Sequence, residues 1–291
     1  MPISPTLDPR QLTLLQEWLP GYAVVRDHSW GLVDTTVWEV ACAGERYVVK
    51  AAGPDDHHLE RELRAHREWL APWVSAGRAP ELVYADPAAK IIVTRYLDGE
   101  LVLGHAAARD PEVYRQAGAL LAQLHGQCAM VDAAFEEEAN AGLLAWLDKE
   151  HRIDPGTVAR LRAEVAGWPT PSAVVVPTHG DWQPRNWLVA PAKTATRAGV
   201  EVRVIDFGRA AMRPAMSDLA RLSRKEFREL PALEAPFFDG YGPDPREPEA
   251  WRRHQLREAA GTAVWAYLHG DPDFEAEGHR HLAELTRAAE T

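Results

Sequence analysis

Three polar residues whose types suit metal and hydroxyl chemistry lie close together in the chain. Asp181 and Asn186 are five positions apart, and Asp206 follows as the first residue of an Asp-Phe-Gly sequence. Carboxylate and amide oxygens are ligands that Mg²⁺ accepts, and a carboxylate can also orient a hydroxyl group and take its proton. Together they could hold Mg²⁺ on a nucleotide and activate a hydroxyl acceptor, which is the chemistry of phosphoryl transfer.

The elements around these residues support this interpretation. Apolar, β-branched runs at 174–176, 187–189 and 202–205 precede each polar residue or lie between them. Such runs predict short strands. We expect them to deliver Asp181, Asn186 and Asp206 to one edge of a small sheet. The alternative is that the Asp residues only form turns or cap helices, but it does not explain why all the motifs occur together and in this order.

These motifs resemble a known family. His-Gly-Asp-x-x-x-x-Asn at 179–186, followed by Val-Ile-Asp-Phe-Gly at 204–208, is similar to the aminoglycoside phosphotransferase (APH) family of small-molecule kinases. Gly180 favours this group, because protein kinases usually have Arg at that position. The resemblance implies an α+β, two-lobed, protein-kinase-like fold with an antiparallel N-terminal sheet plus helix and a larger, mainly helical C-terminal lobe. It also implies Asp181 as the catalytic residue and Asn186 and Asp206 as Mg²⁺ ligands.

The resemblance extends to the nucleotide site. Lys50 ends an apolar strand, where it could reach the nucleotide phosphates. Its expected partner is Glu62 on the next helix, with Glu60 as the alternative. The loop at 27–31 would cover the phosphates, with Ser29 as a contact, although it has no Gly-x-Gly-x-x-Gly. Backbone groups of the segment Arg95, Tyr96 and Leu97 would bind the purine base, and they do not distinguish ATP from GTP.

The remaining pattern places the elements. Alternating apolar residues predict strands at 22–25, 35–43, 46–51, 79–85 and 90–97. Helical spacing predicts helices at 9–19, 59–73, 111–126, 132–146, 153–167, 219–230, 248–268 and 278–289. Asp98-Gly99 is the predicted boundary between a nucleotide-binding lobe at 1–98 and a catalytic and substrate-binding lobe at 99–291.

Composition limits the partners. The net charge of −11 argues against nucleic acid and favours a cationic acceptor. The chain has no run of apolar residues long enough to span a membrane, and its first residues lack signal-peptide features. Two widely spaced cysteines suggest a reducing, cytoplasmic location.

Several further residues carry expectations of their own. Trp182 directly follows the catalytic Asp and could line the acceptor pocket. The acidic runs at 136–138 and 271–277 are interpreted as a solvated helix face and a solvated turn, in preference to a cation-binding cleft. His179 is expected to brace the catalytic loop through hydrogen bonds. Asp218-Leu-Ala resembles the sequence that follows Asp-Phe-Gly in the family.

The expected function is transfer of the γ-phosphate of ATP or GTP, with Mg²⁺, to a hydroxyl of a small molecule. A cationic antibiotic of the aminoglycoside or basic peptide type is the leading acceptor, which would give resistance. The alternative within this class is a metabolite kinase acting on choline, an amino alcohol, a sugar or a fructosamine. An alternative of another class is a catalytically silent nucleotide-binding module, which usually lacks one of Lys50, Asp181 and Asp206.

Overall fold

The structure is a computed structural model that describes residues 7–29, 35–192 and 199–287. The strands are β1 Ala23–Asp27, β2 Thr35–Cys42, β3 Glu45–Ala52, β4 Leu82–Asp86, β5 Ile91–Arg95, β6 Glu100–Leu101, β7 Met130–Asp132, β8 Ala173–Thr178, β9 Trp187–Pro191, β10 Val200–Val204 and β11 Ala211–Arg213. The helices are α1 Pro9–Trp18, α2 His58–Glu68, α3 Ala71–Ser75, α4 Pro111–His125, α5 Phe135–Leu147, α6 Pro155–Ala166, α7 Ala220–Arg224, α8 Glu226–Glu229, α9 Glu234–Tyr241, α10 Pro248–His269 and α11 Pro272–Arg287.

A five-stranded antiparallel sheet with the order β1-β2-β3-β5-β4 forms the N-terminal part. Side chains alternate between the two faces of a strand, and β5 shows this directly. Ile91 and Val93 pack with Leu15 of α1 on one face, whereas Ile92 packs with Leu63 of α2 on the other. The sheet is therefore covered by a helix on each face, and β3 carries Lys50 between them.

Helix α1 begins where the sequence predicts. The Asp8 carboxylate accepts a hydrogen bond from the backbone N–H of Gln11 at 2.8 Å, and the Gln11 side chain accepts one from the N–H of Asp8 at 2.9 Å. This reciprocal capping box satisfies two N–H groups that have no partner within the helix. The amide of Gln11 also donates to the carbonyls of Ala52 and Ala89. The cap thus fixes α1 to the sheet as well as starting it.

The three apolar runs at 174–176, 187–189 and 202–205 form strands, but not in one sheet. β9 and β10 pair antiparallel, with β6 at the other edge of β9. β8 belongs to a different sheet, with the order β11-β8-β7. The expectation of a single small sheet was wrong, because local alternation predicts a strand without specifying its partner.

Two predicted helices are interrupted. The segment predicted as one helix at 59–73 forms α2 and α3, with Pro72 in the first turn of α3. Proline cannot continue a helix, because it lacks an N–H and clashes with the preceding turn. The segment at 219–230 likewise forms two short helices, α7 and α8.

The acidic stretch at 271–277 is helical, which corrects its interpretation as a solvated turn. Helix α11 begins at Pro272, and the Asp271 carboxylate accepts a hydrogen bond from the N–H of Phe274 at 3.1 Å. Glu275 is buried and its carboxylate pairs with Arg152. The Asp-Pro pair was a start signal that the sequence carried. The last predicted helical residues, 288 and 289, lie outside the described residues.

The acidic run at 136–138 is also not simply a solvated face. Glu136 is 4% exposed. Its carboxylate accepts a hydrogen bond from Arg257 at 2.7 Å and lies 3.6 Å from Arg253. A charge this buried requires such partners. Glu136 therefore joins α5 to α10 within the helical part of the chain.

The chain divides into two compact units. The first comprises the described residues of Met1–Gln127, His179–Ala211 and Leu230–Gly242, and the second those of Cys128–Thr178, Met212–Glu229 and Pro243–Thr291. The second unit is mainly helical, and its core joins α5, α6, α10 and α11 through Leu143, Leu161, Leu256, Ala260 and Leu282. The lobe boundary after residue 98 stays a prediction. In the described part of the chain, no helix is long and apolar enough to cross a membrane.

Helices α4 and α9 of the first unit cross at two glycines. A Cβ at Gly240 would lie 1.9 Å from the carbonyl oxygen of Arg115, and one at Gly118 would lie 2.1 Å from that of Phe237. Both contacts are with backbone atoms, so a methyl group can enter only if the helices separate. This close approach packs α9 against α4 within the unit that also contains Lys50 and Asp181.

We expect Gly240→Ala to lower the free energy of unfolding by about 3 kcal/mol, the upper range for overpacking a rigid contact. The control is Gly142→Ala, at a helical position where an added Cβ meets no atom within 4 Å. There the greater helix propensity of Ala should stabilise the protein by up to about 1 kcal/mol. Urea unfolding of both variants measures the difference. Equal stability of the two variants would contradict the close crossing.

Candidate active site

Lys50 of β3 makes the central ion pair of the site. Its Nζ donates to both carboxylate oxygens of Glu62, at 2.8 Å each, and to Oδ1 of Asp206 at 3.0 Å. Lys50 points inward from its strand and is 16% exposed at the side chain, whereas the Asp206 side chain is 49% exposed. Glu62, and not Glu60, is therefore the partner of Lys50.

The charges of these groups are mutually stabilised. Burial alone would lower the pKa of Lys50, but the carboxylates of Asp206 and Glu62 outweigh burial and raise it. The positive charge of Lys50 lowers the pKa of Asp206 below its usual range. Burial raises the pKa of Glu62, although Lys50 opposes this shift. The cation and the Asp206 carboxylate are thus both charged at neutral pH.

His179 braces the catalytic loop, as the sequence predicted. Its Nδ1 accepts a hydrogen bond from the backbone N–H of Asp181 at 3.2 Å, so its Nε2 carries the proton and donates to the carbonyl of Ile205 at 3.1 Å. The side chain is fully buried. One imidazole therefore links the residue before Asp206 to the loop that carries Asp181.

A main-chain hydrogen bond completes this link. The N–H of Ile205 donates to the carbonyl of Asn186 at 3.0 Å, next to the pairing of Val204 with Trp187 between β10 and β9. Asp206 follows with φ of +67°, a left-handed conformation that Asp tolerates better than most residues. The backbone thus places Asn186 next to the residue that precedes Asp206. Lys50 lowers the pKa of Asp206 by more than the negative charge of Asp181 raises it.

The Asp181 carboxylate is 3% exposed and accepts three side-chain hydrogen bonds. Gln183 Nε2 donates to Oδ1 at 2.6 Å, whereas Arg185 Nη2 and Asn186 Nδ2 donate to Oδ2 at 2.8 and 2.9 Å. The Asn186 amide also donates to the carbonyl of Asp181 at 2.8 Å. Gln183 and Arg185 were missed at the sequence level, because only the folded loop turns them back onto Asp181.

Trp182 does not line a pocket. It is 1% exposed, and its ring lies 5.5 Å from that of Trp187 and 6.0 Å from that of Trp73. It also packs edge-on against His179 at 5.4 Å. The proposed pocket role was wrong. In this loop the Asp181 carboxylate contacts Arg185 and Asn186, whereas the Trp182 ring packs in the core.

In the segment predicted to bind the base, two backbone N–H groups already make hydrogen bonds within the chain. The N–H of Arg95 donates to the carbonyl of Glu81 at 2.8 Å, and that of Tyr96 donates to the carbonyl of Arg46 at 2.9 Å. In the described part of the chain, the N–H of Leu97 has no such partner. Of the three residues, only Leu97 therefore keeps its backbone donor for a ligand.

The backbone N–H and the Oγ of Ser29 also already make hydrogen bonds within the chain. Its N–H donates to the Asp27 carboxylate at 2.8 Å, and its Oγ accepts from the N–H of Val37 at 3.0 Å. Trp30 and Gly31 of the predicted phosphate loop lie outside the described residues. The Ser29 hydroxyl also hydrogen-bonds to the Asp27 carboxylate, which helps to lower the pKa of Asp27, so both donors of Ser29 are used close to their own position in the chain.

His66 is a further residue that the sequence did not single out. It lies one helical turn after Glu62 in α2 and packs edge-on against Phe207, with ring centroids 5.7 Å apart. Neither of its buried ring nitrogens has a hydrogen-bond partner among the residues that the structure describes. Burial lowers the pKa of His66 to about 4, and the charge of Lys50 adds to the shift.

We expect this histidine to make the protein acid-sensitive. Its pKa is lower in the folded than in the unfolded chain, so the unfolded chain binds the proton first as pH falls from 6.5 to 4. Stability is therefore lost across this window, by up to about 3 kcal/mol from His66, since one pKa unit corresponds to about 1.4 kcal/mol. His66→Leu should flatten the pH dependence of the unfolding free energy between pH 6.5 and 5.

The matched control is His57→Leu, which replaces an exposed histidine just before α2. It should keep the pH dependence of the unmodified protein. If His66→Leu and the unmodified protein lost stability in parallel over this window, His66 would not be the buried neutral group described here.

No group of three or more His, Cys, Asp or Glu side chains in the described ranges could hold a metal by itself. The oxygens nearest to such a role are the Asp206 carboxylate and Oδ1 of Asn186, which accepts no hydrogen bond from the described part of the chain. Two such ligands fit a Mg²⁺ ion that keeps other positions for phosphate oxygens and water. They do not form a closed structural metal site.

Solved structures share this fold. A thermostable mutant of the aminoglycoside phosphotransferase APH(4)-Ia, in a ternary complex with ADP and hygromycin B, has a TM-score of 0.67 at 14% identity, covering 95% of this chain and 97% of that chain. The choline kinase LicA from Streptococcus pneumoniae has a TM-score of 0.65 at 13% identity, covering 96% and 99%. The gentamicin–APH(2″)-IIa complex has a TM-score of 0.62 at 16% identity, covering 96% of each.

At these identities the structures show the protein-kinase-like fold alone, with its antiparallel N-terminal sheet and helical C-terminal part. No curated protein sequence matches this chain significantly. The family model described as "Phosphotransferase enzyme family" (APH) matches residues 24–281. The chain therefore belongs to the APH phosphotransferase enzyme family, and it is a phosphotransferase with an alcohol group as acceptor.

Proposed function

We propose that this enzyme transfers the γ-phosphate of ATP or GTP, with Mg²⁺, to a hydroxyl of a cationic small-molecule antibiotic and thereby confers resistance. The observation that carries the proposal is the contact of Lys50 with both Glu62 and Asp206, next to the loop that holds Asp181 and Asn186. Lys50 is largely buried, the Asp206 carboxylate is half exposed and the Asp181 carboxylate is buried. Phosphoryl transfer uses such groups to bind the phosphates, to hold the metal and to orient the hydroxyl.

Nucleotide binding would begin with Lys50. Glu62 holds its ammonium in place, and the phosphates would replace or join Asp206 as partners of the same Nζ. The N–H of Leu97 would donate to the purine base, and the Ser29 hydroxyl would contact a phosphate after turning away from Asp27. The ADP in the APH(4)-Ia complex supports a nucleotide co-substrate. In this proposal residues 1–98 form the nucleotide-binding lobe and residues 99–291 the catalytic lobe.

Asn186 and Asp206 would hold Mg²⁺ through their side-chain oxygens. The bound ion would neutralise charge on the phosphates as the transferred group leaves. The Asn186 amide hydrogens are already donated to Asp181, which aims the oxygen of the same amide away from that carboxylate. The residues present therefore fit the ion, and the protein supplies the orientation of both ligands.

Asp181 would orient the acceptor hydroxyl and take its proton. The hydroxyl oxygen forms a bond to the γ-phosphorus, the bond from that phosphorus to the bridging oxygen breaks, and the nucleoside diphosphate leaves with the electron pair. Because this transition state is loose, the proton moves late, and positioning contributes more than basicity. The low exposure of Asp181 keeps water from competing for its carboxylate.

The acceptor class rests on charge and on relatives. The chain has a net charge of −11, which attracts polycations. Hygromycin B and gentamicin occur in the complexes of the two similar phosphotransferases. The similarity to choline kinase LicA supports the alternative of a metabolite kinase acting on choline, an amino alcohol, a sugar or a fructosamine. A catalytically silent module is disfavoured, because Lys50, Asp181 and Asp206 are all present.

The proposal includes neither nucleic acid nor membrane as a partner, and it places the reaction in the cytoplasm. Cys42 and Cys128 are both free thiols, which suits a reducing compartment. The acidic surface does not suit a phosphate backbone. These statements are part of the proposed function and are tested together with it.

The test is transfer of labelled γ-phosphate from ATP and from GTP, with Mg²⁺, to a panel of aminoglycosides, basic peptide antibiotics, choline, ethanolamine, sugars and fructosamines. We expect one of the antibiotics to be labelled in a reaction that requires Mg²⁺. Cells that express the enzyme should survive that antibiotic at concentrations that kill the parent cells. Labelling of choline or a sugar alone would favour the metabolite kinase. Nucleotide binding without any transfer, including transfer to water, would favour the silent module.

A further inference from the structure

The hydrogen bonds of Asp181 point to a second charged residue in the reaction. Its carboxylate accepts from Gln183, Arg185 and Asn186, which occupies both oxygens. Arg185 is the only cation among these donors. Its side chain is 41% exposed, whereas that of Asp181 is 3% exposed. A half-exposed guanidinium thus lies directly on the group expected to accept the proton.

The resting arrangement leaves Asp181 little capacity for a substrate. A carboxylate has about four acceptor positions, and at least three of those of Asp181 are used by side chains of the described residues. Asn186 is held at two points, through the carbonyl and the carboxylate of Asp181, and it is buried. Arg185 is more exposed, so water or a phosphate can solvate its charge when it moves. Arg185 is the most exposed of the three donors, and it is therefore the one whose side chain can turn towards a bound phosphate.

We propose that Arg185 is a second catalytic residue, which holds Asp181 in the resting enzyme and donates to the transferred phosphoryl group during the reaction. The inference rests on the proposed function. As the acceptor oxygen bonds to the γ-phosphorus and the bond to the nucleoside diphosphate breaks, the proton passes to the Asp181 carboxylate. The Arg185 guanidinium then neutralises charge on the equatorial phosphoryl oxygens, in addition to the charge that Lys50 supplies to the nucleotide phosphates.

The chemistry of arginine suits this exchange. Its planar guanidinium has five N–H donors and binds carboxylates and phosphates with the same geometry. Nη2 is used on Asp181, at 2.8 Å. A short rotation would give the same group to a phosphate while another N–H remains near the carboxylate. A Lys at this position would supply the charge without a planar group that can make two parallel hydrogen bonds.

The test compares Arg185→Gln and Arg185→Lys with Arg67→Gln, which removes the same charge from an exposed position on α2 of the same unit. We expect Arg185→Gln to lower kcat about 100-fold, as loss of one transition-state donor does elsewhere, with little change in nucleotide affinity. Arg185→Lys should recover part of this loss. Arg67→Gln should retain full activity, and melting temperatures monitor folding of all three.

A double-mutant cycle separates phosphoryl contact from simple bracing of Asp181. If Arg185 also contacts the phosphoryl group, Arg185→Gln should still lower kcat at least tenfold in the Asp181→Asn background, measured with labelled nucleotide. If the only task of Arg185 were to hold the Asp181 carboxylate, Arg185→Gln would leave kcat unchanged in the Asp181→Asn background. That result would overturn the proposal. A kcat of Arg185→Gln equal to that of Arg67→Gln would also overturn it.

The two levels of inference fail in different ways. If the unmodified enzyme transfers no phosphate to any acceptor or to water, the proposed function fails. If the unmodified enzyme is active and the Arg185 variants behave as above, both stand. Activity together with an inert Arg185 would reject the inference about Arg185 and leave the proposed function intact.

Discussion

The Asp181→Asn enzyme is expected to bind nucleotide with the affinity of the unmodified enzyme while its kcat falls by about 10²- to 10⁴-fold, the range for loss of a general base. Asp181 lies on the loop before β9, whereas Lys50, the cation proposed to bind the phosphates, contacts Glu62 and Asp206. The substitution leaves Lys50 and its partners in place, and an Asn at 181 keeps an oxygen that can accept from Asn186.

The substitution should also preserve the loop. An Asn at 181 keeps one oxygen for Arg185 and Asn186, while its new NH₂ group replaces the oxygen that accepts from Gln183. The Gln183 amide can turn its own oxygen towards that NH₂, so no buried donor is left facing another donor. The fall in kcat then reports lost chemistry and not local unfolding.

Two measurements check this prediction. Calorimetric titration with the nucleotide and Mg²⁺ measures affinity, and transfer of labelled phosphate measures kcat. The matched control is Asp148→Asn, an exposed residue paired with Arg162 in the second unit. A kcat for Asp181→Asn within a factor of three of this control would remove Asp181 from the mechanism.

Replacing Asp206 by Asn should have a comparable effect through the metal. We expect kcat to fall by about 10³-fold, because charge stabilisation by a bound metal is worth several kcal/mol and each 1.36 kcal/mol is tenfold in rate. The rate should also require more Mg²⁺ for half-saturation, since a neutral amide is a weaker ligand than a carboxylate. Lys50 keeps Glu62 as a partner in this variant.

The backbone makes Asn the informative substitution at this position. Asp206 has φ of +67°, which Asn also adopts readily and Ala does not. Asp206→Asn should therefore melt close to the unmodified protein, while Asp206→Ala should combine the same loss of activity with lower stability. An unchanged dependence of the rate on Mg²⁺ in Asp206→Asn would show that this carboxylate is not a ligand.

Both predictions rest on residues that the sequence identified by motif. The spacing of Asp181, Asn186 and Asp206 indicated the chemistry, and Lys50 was found from its place at the end of an apolar strand. Local signals were also reliable where one residue controls an element, as with Asp8 and Pro9 at the start of α1. Motifs and caps act over a few residues, so a sequence shows them directly.

Other outcomes depended on contacts between distant segments. One sequence could not decide between Glu60 and Glu62, because both lie in the same helix and only packing against Ile92 and Ala52 selects the face. Trp182 was placed in the wrong environment for the same reason, since only the folded chain brings Trp73 and Trp187 around its ring. The sheet that contains β8 was also unpredictable from alternation alone.

By itself, the sequence determined the type of chemistry and the order of the residues that carry it out. Only the tertiary structure decided that Lys50 contacts Glu62 and Asp206 together, that His179 ties Asp181 to Ile205, and that Gln183 and Arg185 close over the Asp181 carboxylate. The physical reason is that reactivity belongs to residue types at short spacing, whereas charge, burial and orientation arise when segments far apart in the chain pack together.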